Sequence, residues 1–106
     1  MSTRDDDEFK LGETYTVVVD CRDYAGAPVT PVTASFAIKT FGGAVIVALT
    51  QASGITINGN SCIISIPTYE QTGFEPGLYR KRLKITDSNN AVSRQMDGTT
   101  EILADE

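Results

Sequence analysis

The sequence predicts a single all-β domain of the sandwich type, with seven or eight short antiparallel strands over residues 13–103. Three observations predict it. Turn residues, mainly Gly, Pro, Asp and Asn, recur roughly every 8–12 residues. Between them lie short segments rich in β-branched and aromatic residues, in which apolar and polar side chains alternate as in a half-buried strand. No segment repeats its apolar residues with the 3.6-residue period of a helix.

The first two strands follow a polar, acidic arm predicted at residues 1–12. Within residues 13–20, Tyr15, Val17 and Val19 recur at every second position with Val18 between them, and the β-branched and aromatic residues indicate a strand. Asp, Gly and Pro cluster at residues 23–28 and predict a turn. Apolar and polar side chains then alternate cleanly over residues 33–40, which we interpret as the second strand.

Three short strands are predicted in the middle of the chain. Residues 44–50 form an almost continuous apolar run that is too short for a stable helix and rich in β-branched residues. Residues 55–57 and 62–66 alternate on either side of Asn58-Gly59. That dipeptide supplies the positive φ angles that a tight hairpin turn requires.

The last third of the chain predicts strands at residues 77–86, 91–96 and 99–103, with an acidic tail at residues 104–106. An Asp-Gly dipeptide separates the last two strands, and a run of Asp, Ser and Asn marks the turn before them. Lys81 is the one charged residue on the apolar face of its strand. We expect its ammonium group to reach solvent near the strand end.

The composition bounds the class of protein. A chain of 106 residues with 41% hydrophobic residues can bury roughly two-thirds of its unfolded surface, enough to fold as one domain. No run of 18 apolar residues is present, so no membrane span and no membrane partner are expected. The N-terminus has no apolar segment, so we expect no secretory signal peptide.

The chemistry that the sequence lacks argues against catalysis. The chain has no histidine and no tryptophan, so no Ser-His-Asp or Cys-His nucleophile system can be built. The acidic residues do not have the spacing of a calcium-binding loop. We therefore expect no enzymatic activity, no catalytic residue, no cofactor, no metal site and no small-molecule substrate.

Cys21 and Cys62 are the two cysteines of the chain. Two thiols cannot complete a four-ligand zinc site within one chain, although two copies could share one. Without a signal peptide we expect both thiols to be reduced, and to pack as small buried side chains. A disulfide between them remains open, because the strands that carry them could be neighbours.

Charge is segregated along the chain. The net charge is −5, so nucleic acid is not an expected partner. We predict that a basic face of one strand receives the acidic arm of a neighbouring copy or of a partner protein, because complementary charges orient proteins as they meet. The alternative is an ordinary solvated surface. The residues predicted to dock are Asp5, Asp6, Asp7, Glu8, Arg80, Arg82 and Lys84.

The order of strands and turns forms a recognisable pattern. Its pieces lie at residues 14–17, 23–29, 34–38, 53–57, 76–80 and 83–87, followed by Gly98 before the last strand. The pattern covers residues 12–103 and resembles the small immunoglobulin-like proteins of tailed bacteriophages and prophages, including the N-terminal domain of baseplate upper proteins. The resemblance implies an immunoglobulin-like sandwich without catalytic residues. Lys81 departs from it, since an apolar or aromatic residue is usual there.

The resemblance implies a non-enzymatic structural component of a phage virion, assembled in the bacterial cytoplasm. A tail, baseplate or fibre-adaptor protein that docks in multiple copies onto itself and other virion proteins is the first expectation. A decoration protein of the capsid is one alternative. A carbohydrate- or ligand-binding sandwich is another, and it requires clustered, exposed aromatic residues. The candidates for that cluster are Tyr24, Phe41, Tyr69 and Phe74.

Overall fold

Two β-sheets pack face to face in the computed structural model of the protein, which describes residues 7–23, 25–67, 71 and 73–104. One sheet has five strands and the other has three. Their inner faces enclose the hydrophobic core. The architecture is an all-β, immunoglobulin-like sandwich, which confirms the predicted fold class. Within the described ranges, no helix is long and apolar enough to cross a membrane.

Eight strands build the two sheets. Their bounds are β1 (Asp7–Lys10), β2 (Tyr15–Asp20), β3 (Pro31–Lys39), β4 (Val45–Thr50), β5 (Ile55–Asn58), β6 (Ser61–Ile66), β7 (Gly77–Asp87) and β8 (Val92–Leu103). The larger sheet has the order β1-β8-β7-β3-β4 and the smaller has the order β2-β6-β5. Neighbouring strands are antiparallel except β1 and β8, which run parallel. The prediction of antiparallel strands is wrong at that pair.

The arm predicted at residues 1–12 is in part a strand of the larger sheet. β1 pairs with the C-terminal part of β8 along its whole length. Phe9 on β1 is buried, and its ring centroid lies 4.8 Å from that of Tyr15. The prediction of an arm separate from the sandwich is therefore wrong for residues 7–10, because Phe9 contributes to the core. Residues 1–6 lie outside the described residues.

The strands predicted at residues 91–96 and 99–103 are one continuous strand, β8. Asp97 and Gly98, expected to break the chain there, lie inside it, and Gly98 stands opposite Lys81 of β7. Residues directly opposite each other in a sheet project to the same face. Because glycine has no side chain, it leaves space beside the buried Lys81 on the inner face.

Alternation along the strands places every second side chain inside the sandwich. The buried apolar residues are Phe9, Tyr15, Cys21, Ala34, Phe36, Ile38, Leu49, Ile55, Cys62, Ile64, Ile66, Leu83, Ile85, Met96 and Ile102. They come from all eight strands and from the residue that follows β2. The prediction that both cysteines pack as buried side chains is confirmed.

The turns lie close to where the sequence predicts them, and their backbone conformations suit the residues that form them. Asn90 has a φ of 61°, the left-handed conformation expected in the turn at residues 87–90. The β5–β6 hairpin has Gly59 and Asn60 at its centre, because Asn58 still pairs with the first residue of β6. The hairpin is therefore confirmed, and its centre lies one residue later than predicted. Gly59 itself has a φ of 61°, which glycine adopts at no steric cost.

Candidate ligand-binding groove

β7 carries the basic face that the sequence predicts. Arg80, Arg82 and Lys84 alternate along it with inward residues such as Lys81 and Leu83, which are buried. Successive side chains of a strand point to opposite faces of the sheet. The three cations therefore lie on the outer surface of the five-stranded sheet.

The register of β3 against β7 places small side chains beside these cations. Arg82 lies opposite Ala37, and Lys84 lies opposite Ser35. β4 continues the same two rows with an alanine and a threonine. A row of long basic side chains on β7 therefore borders two rows of short side chains on β3 and β4.

A groove forms where the long and short side chains meet. Its volume is about 420 Å³, which lies in the range of small-ligand sites. Its outward-facing lining consists of Ser35, Ala37, Lys39, Thr40, Gly43, Ala48, Thr50, Arg80, Arg82, Lys84 and Asp97. We call this feature the basic groove.

Positive charge dominates the basic groove. Lys39 lies opposite Arg80 and adds a fourth cation to the three of β7. One carboxylate, Asp97, lines the groove, and it is already 3.0 Å from the guanidinium of Arg94. Within the described part of the chain, none of the four cations forms an ion pair. The Nε of Arg82 is buried and has no hydrogen-bond acceptor among these residues.

Lys81 points to the other side of β7, into the core. It is 2% exposed, and its Nζ lies 2.9 Å from a carboxylate oxygen of Asp7. The hydroxyl of Tyr15 donates a hydrogen bond to that same oxygen at 2.8 Å. Burial, followed by the charge and hydrogen bond of Asp7, raises the pKa of Tyr15 well above its usual value. The expectation that Lys81 reaches solvent is wrong, because β1 supplies a counter-ion inside the sandwich.

The acidic residues predicted to dock are separated by the fold. Asp5 and Asp6 lie outside the described residues. Asp7 pairs with Lys81 of its own chain, and Glu8 is exposed on β1. Neither carboxylate of β1 lines the basic groove. Docking of an acidic arm onto the basic face of another copy stays a prediction, and Asp7 is held elsewhere.

The structure describes two of the four aromatic residues considered for carbohydrate contact. Tyr24 and Tyr69 lie outside the described residues. Phe41 is exposed in the turn between β3 and β4, whereas Phe74 is half-buried and packs against the core. The basic groove is therefore the candidate site on the described surface.

In the ranges that the structure describes, no group of three or more Cys, Asp or Glu side chains is placed to hold a metal ion. Cys21 and Cys62 are free and buried, with Sγ atoms 3.8 Å apart. Their elements are neighbours, as expected, because β2 pairs with β6.

Two glutamines, one buried and one half-buried, fix loop segments through side-chain hydrogen bonds to the backbone. The Gln71 amide accepts a hydrogen bond from the N–H of Gly12 at 3.1 Å and donates one to the Glu13 carbonyl at 2.6 Å. Gln95 accepts a hydrogen bond from the N–H of Arg22 and donates to its carbonyl, both at 2.9 Å. Their partners are distant in sequence, so no local pattern predicts them.

A comparison with solved structures relates this sandwich to one of known structure. The chain is similar to CopC from Methylosinus trichosporium OB3b, with a TM-score of 0.50 and 15% sequence identity. The match covers 74% of this chain and 69% of that chain. No family model and no curated protein matches the chain. At this identity the likeness concerns the fold alone.

The comparisons overturn the expected virion function. They relate the fold to CopC and provide no evidence for a bacteriophage role. The prediction of a phage structural component, whether of tail, baseplate or capsid, is therefore wrong. It relied on an order of strands and turns that sandwiches of unrelated function share. The resemblance to the phage immunoglobulin-like family itself stays a prediction, since no family model matches.

Proposed function

We propose that the protein is a non-enzymatic β-sandwich module that binds an acidic, extended polypeptide segment in the basic groove. The observation that supports this is the concentration of four cations around one groove, in a chain whose net charge is −5. Like charges held close together repel one another. A ligand of opposite charge relieves that repulsion when it binds.

The spacing of the cations suits an extended chain. Alternate residues of a strand are about 6.6–6.8 Å apart, so Arg80, Arg82 and Lys84 spread three positive groups over about 13 Å. Carboxylates on every second residue of an extended peptide repeat at the same distance. Such a peptide can place one carboxylate beside each cation without bending.

The small side chains determine how closely a peptide can approach. Ser35, Ala37 and Ala48 are short, so a peptide backbone can lie over β3 and β4 beside the cations of β7. The hydroxyl of Thr50 and that of Ser35 offer hydrogen-bond donors to the peptide carbonyls. Ion pairs along one side and hydrogen bonds along the other would orient the ligand.

Other ligands suit the groove less well. A single-stranded nucleic acid gains much of its affinity from stacking on aromatic side chains. Among the described residues, the outward-facing lining contains no aromatic side chain, and Phe36 beneath it is 1% exposed. A Ser-His type of hydrolytic site is not supported either, because the chain has no histidine to activate the hydroxyls of the lining.

Fluorescence anisotropy with a dye-labelled acidic peptide tests the proposal. The probe is an octapeptide with aspartate at every second position and serine between. We expect saturable binding at low salt, and a weakening of tenfold or more in Arg82→Glu, which corresponds to about 1.4 kcal/mol. The matched control is Lys10→Glu, which changes the net charge equally on β1, outside the groove lining. It should leave the affinity within about twofold, because salt screens a distant charge.

Three results would contradict the proposal. One is the absence of saturable binding by the wild-type protein. Another is an equal loss of affinity in the Arg82→Glu and Lys10→Glu variants, which would indicate a response to net charge alone. The third is tighter binding of a single-stranded oligonucleotide of the same charge, which would assign the groove to nucleic acid. Circular dichroism of each variant controls for folding.

A further inference from the structure

The two cysteines meet at one end of the three-stranded sheet. Cys62 lies on β6 opposite Val19, and Cys21 directly follows the last residue of β2. The N–H of Cys21 donates a hydrogen bond to the Asn60 carbonyl at 2.8 Å, which extends the β2–β6 ladder by one residue. Both side chains are inside the core, and each cysteine is 0% exposed.

Their sulfur atoms are already in contact. The Sγ atoms are 3.8 Å apart, and a disulfide requires about 2.05 Å. Cys62 is held on the central strand of its sheet, between β2 and β5. Cys21 lies beyond the end of β2, where the chain enters a loop. Bond formation therefore requires the sulfur atoms to approach by a rearrangement at Cys21, whose N–H and carbonyl are hydrogen-bonded to Asn60 and Val29.

We propose that Cys21 and Cys62 are a disulfide-forming pair, a modification site at which a two-electron oxidant of the azo or peroxide class links the end of β2 to β6. Two S–H bonds break and one S–S bond forms in this step. Two protons and two electrons pass to the oxidant. With diamide as the oxidant, its N=N double bond becomes an HN–NH single bond.

In the contact between the two thiols either sulfur can donate a hydrogen bond to the other. Such a hydrogen bond favours the thiolate of the sulfur that accepts it. That thiolate attacks the oxidant, the second cysteine then attacks the sulfur of the adduct, and the reduced oxidant leaves.

Proximity confines the reaction to this pair. Both cysteines are completely buried, so an oxidant reaches them only during a local opening of the sandwich. The sulfur of the second cysteine, 3.8 Å away, then reacts before a thiol of another molecule does. The cross-link also constrains the unfolded chain, because it closes a loop that includes β3, β4 and β5. We expect the melting temperature of the oxidised protein to be about 5–10 °C higher.

Diamide treatment of the folded, full-length chain tests the proposal. Free thiols are counted with Ellman's reagent after unfolding in guanidinium chloride. We expect the count to fall from the two of the sequence to none, with a mass loss of two hydrogen atoms and no dimer on a non-reducing gel. Dithiothreitol should restore both thiols and the original melting temperature. A tryptic peptide pair joined through Cys21 and Cys62 identifies the bond directly.

Single variants provide the matched control. Cys21→Ser and Cys62→Ser each retain one buried thiol, and neither should gain melting temperature on oxidation. If a variant does not fold, the cross-linked tryptic pair from the wild-type protein still decides the question. Two free thiols after a treatment that fully oxidises the unfolded chain would overturn the proposal. Loss of the thiols with formation of disulfide-linked dimers would overturn it too.

Discussion

A lysine inside the core of this sandwich depends on residues at the far end of the chain. The ammonium group of Lys81 pairs with Asp7, and Tyr15 donates a hydrogen bond to the same carboxylate oxygen. Removing an unpaired ammonium from water costs several kcal/mol. Lys81 can therefore keep its inward position only while β1 is paired. The three side chains come from β7, β1 and β2, so the cluster joins the two sheets.

The raised pKa of Tyr15 predicts a particular loss of stability at alkaline pH. The folded state keeps this proton at a pH at which the unfolded chain releases it. The stability that Tyr15 contributes is thus complete below about pH 10 and falls as the pH rises further. We expect the free energy of unfolding to fall faster in wild type than in Tyr15→Phe above pH 10, by about 1.4 kcal/mol per pH unit.

Urea unfolding at a series of pH values from neutral to strongly alkaline measures both slopes. At neutral pH the Tyr15→Phe variant should already be less stable by about 1–3 kcal/mol, because a carboxylate oxygen of Asp7 loses its hydrogen-bond donor. Parallel curves for the two proteins above pH 10 would show that the folded state does not retain this proton.

Some strands of this fold can be predicted from the residues that form them, and others cannot. β3 and β7 alternate apolar and polar side chains over many residues, and that period predicts a strand wherever it lies in the fold. β1 has a single apolar residue, Phe9. Its strand conformation depends on pairing with β8 at the opposite end of the chain, and no local pattern contains that information. Pairing with β7 likewise overrides the turn tendency of Asp97-Gly98 within β8.

Substitutions on the two faces of β1 should change the free energy of unfolding by very different amounts. Asp7 and Phe9 face the interior, whereas Glu8 and Lys10 are exposed. We expect Asp7→Ala with Phe9→Ala to lower the free energy of unfolding by at least 3–5 kcal/mol, roughly the loss for one buried aromatic ring. An unpaired Lys81 adds to that loss. Glu8→Ala with Lys10→Ala should change it by about 0.5 kcal/mol or less.

Thermal unfolding followed by circular dichroism compares the two double variants. Adding Lys81→Met to the inward pair should recover part of the lost stability, because it removes the buried charge that Asp7 no longer neutralises. Equal, small effects of the inward and outward pairs would show that β1 is not part of the folded sandwich in solution.

At the scale of the whole molecule, the candidate site could be predicted only in part. The alternation along one strand predicts the outward cations Arg80, Arg82 and Lys84. The fourth cation, Lys39, and the small residues such as Ala37 join them through the register of β3 against β7 and β4. Strand order and register are set by the packing of the entire core. Local sequence therefore identified the charge of the site, and the fold was needed to reveal its shape.

The net charge of the molecule is negative, whereas the charge of its basic groove is positive. Packed sheets lie about 10 Å apart, so the outer face of the small sheet is roughly 20 Å from the groove. Charges there act on a bound acidic peptide only if the Debye length is comparable. That length is about 30 Å at 0.01 M salt and about 10 Å at 0.1 M. The acidic surface of the molecule should therefore weaken binding mainly at low salt.

The double variant Thr16→Lys with Thr56→Lys tests whether charge far from the groove changes the affinity for the peptide. Both threonines are exposed on the outer face of the small sheet, so two positive charges are added without touching the groove lining. We expect the variant to bind the alternating aspartate octapeptide about threefold more tightly than wild type at 0.01 M salt. At 0.1 M salt its affinity should match that of wild type within about 1.5-fold. If the variant still binds the peptide more tightly than wild type at 0.1 M salt, the peptide binds the small sheet. If the two proteins have equal affinities at 0.01 M salt, the net charge does not act on the groove.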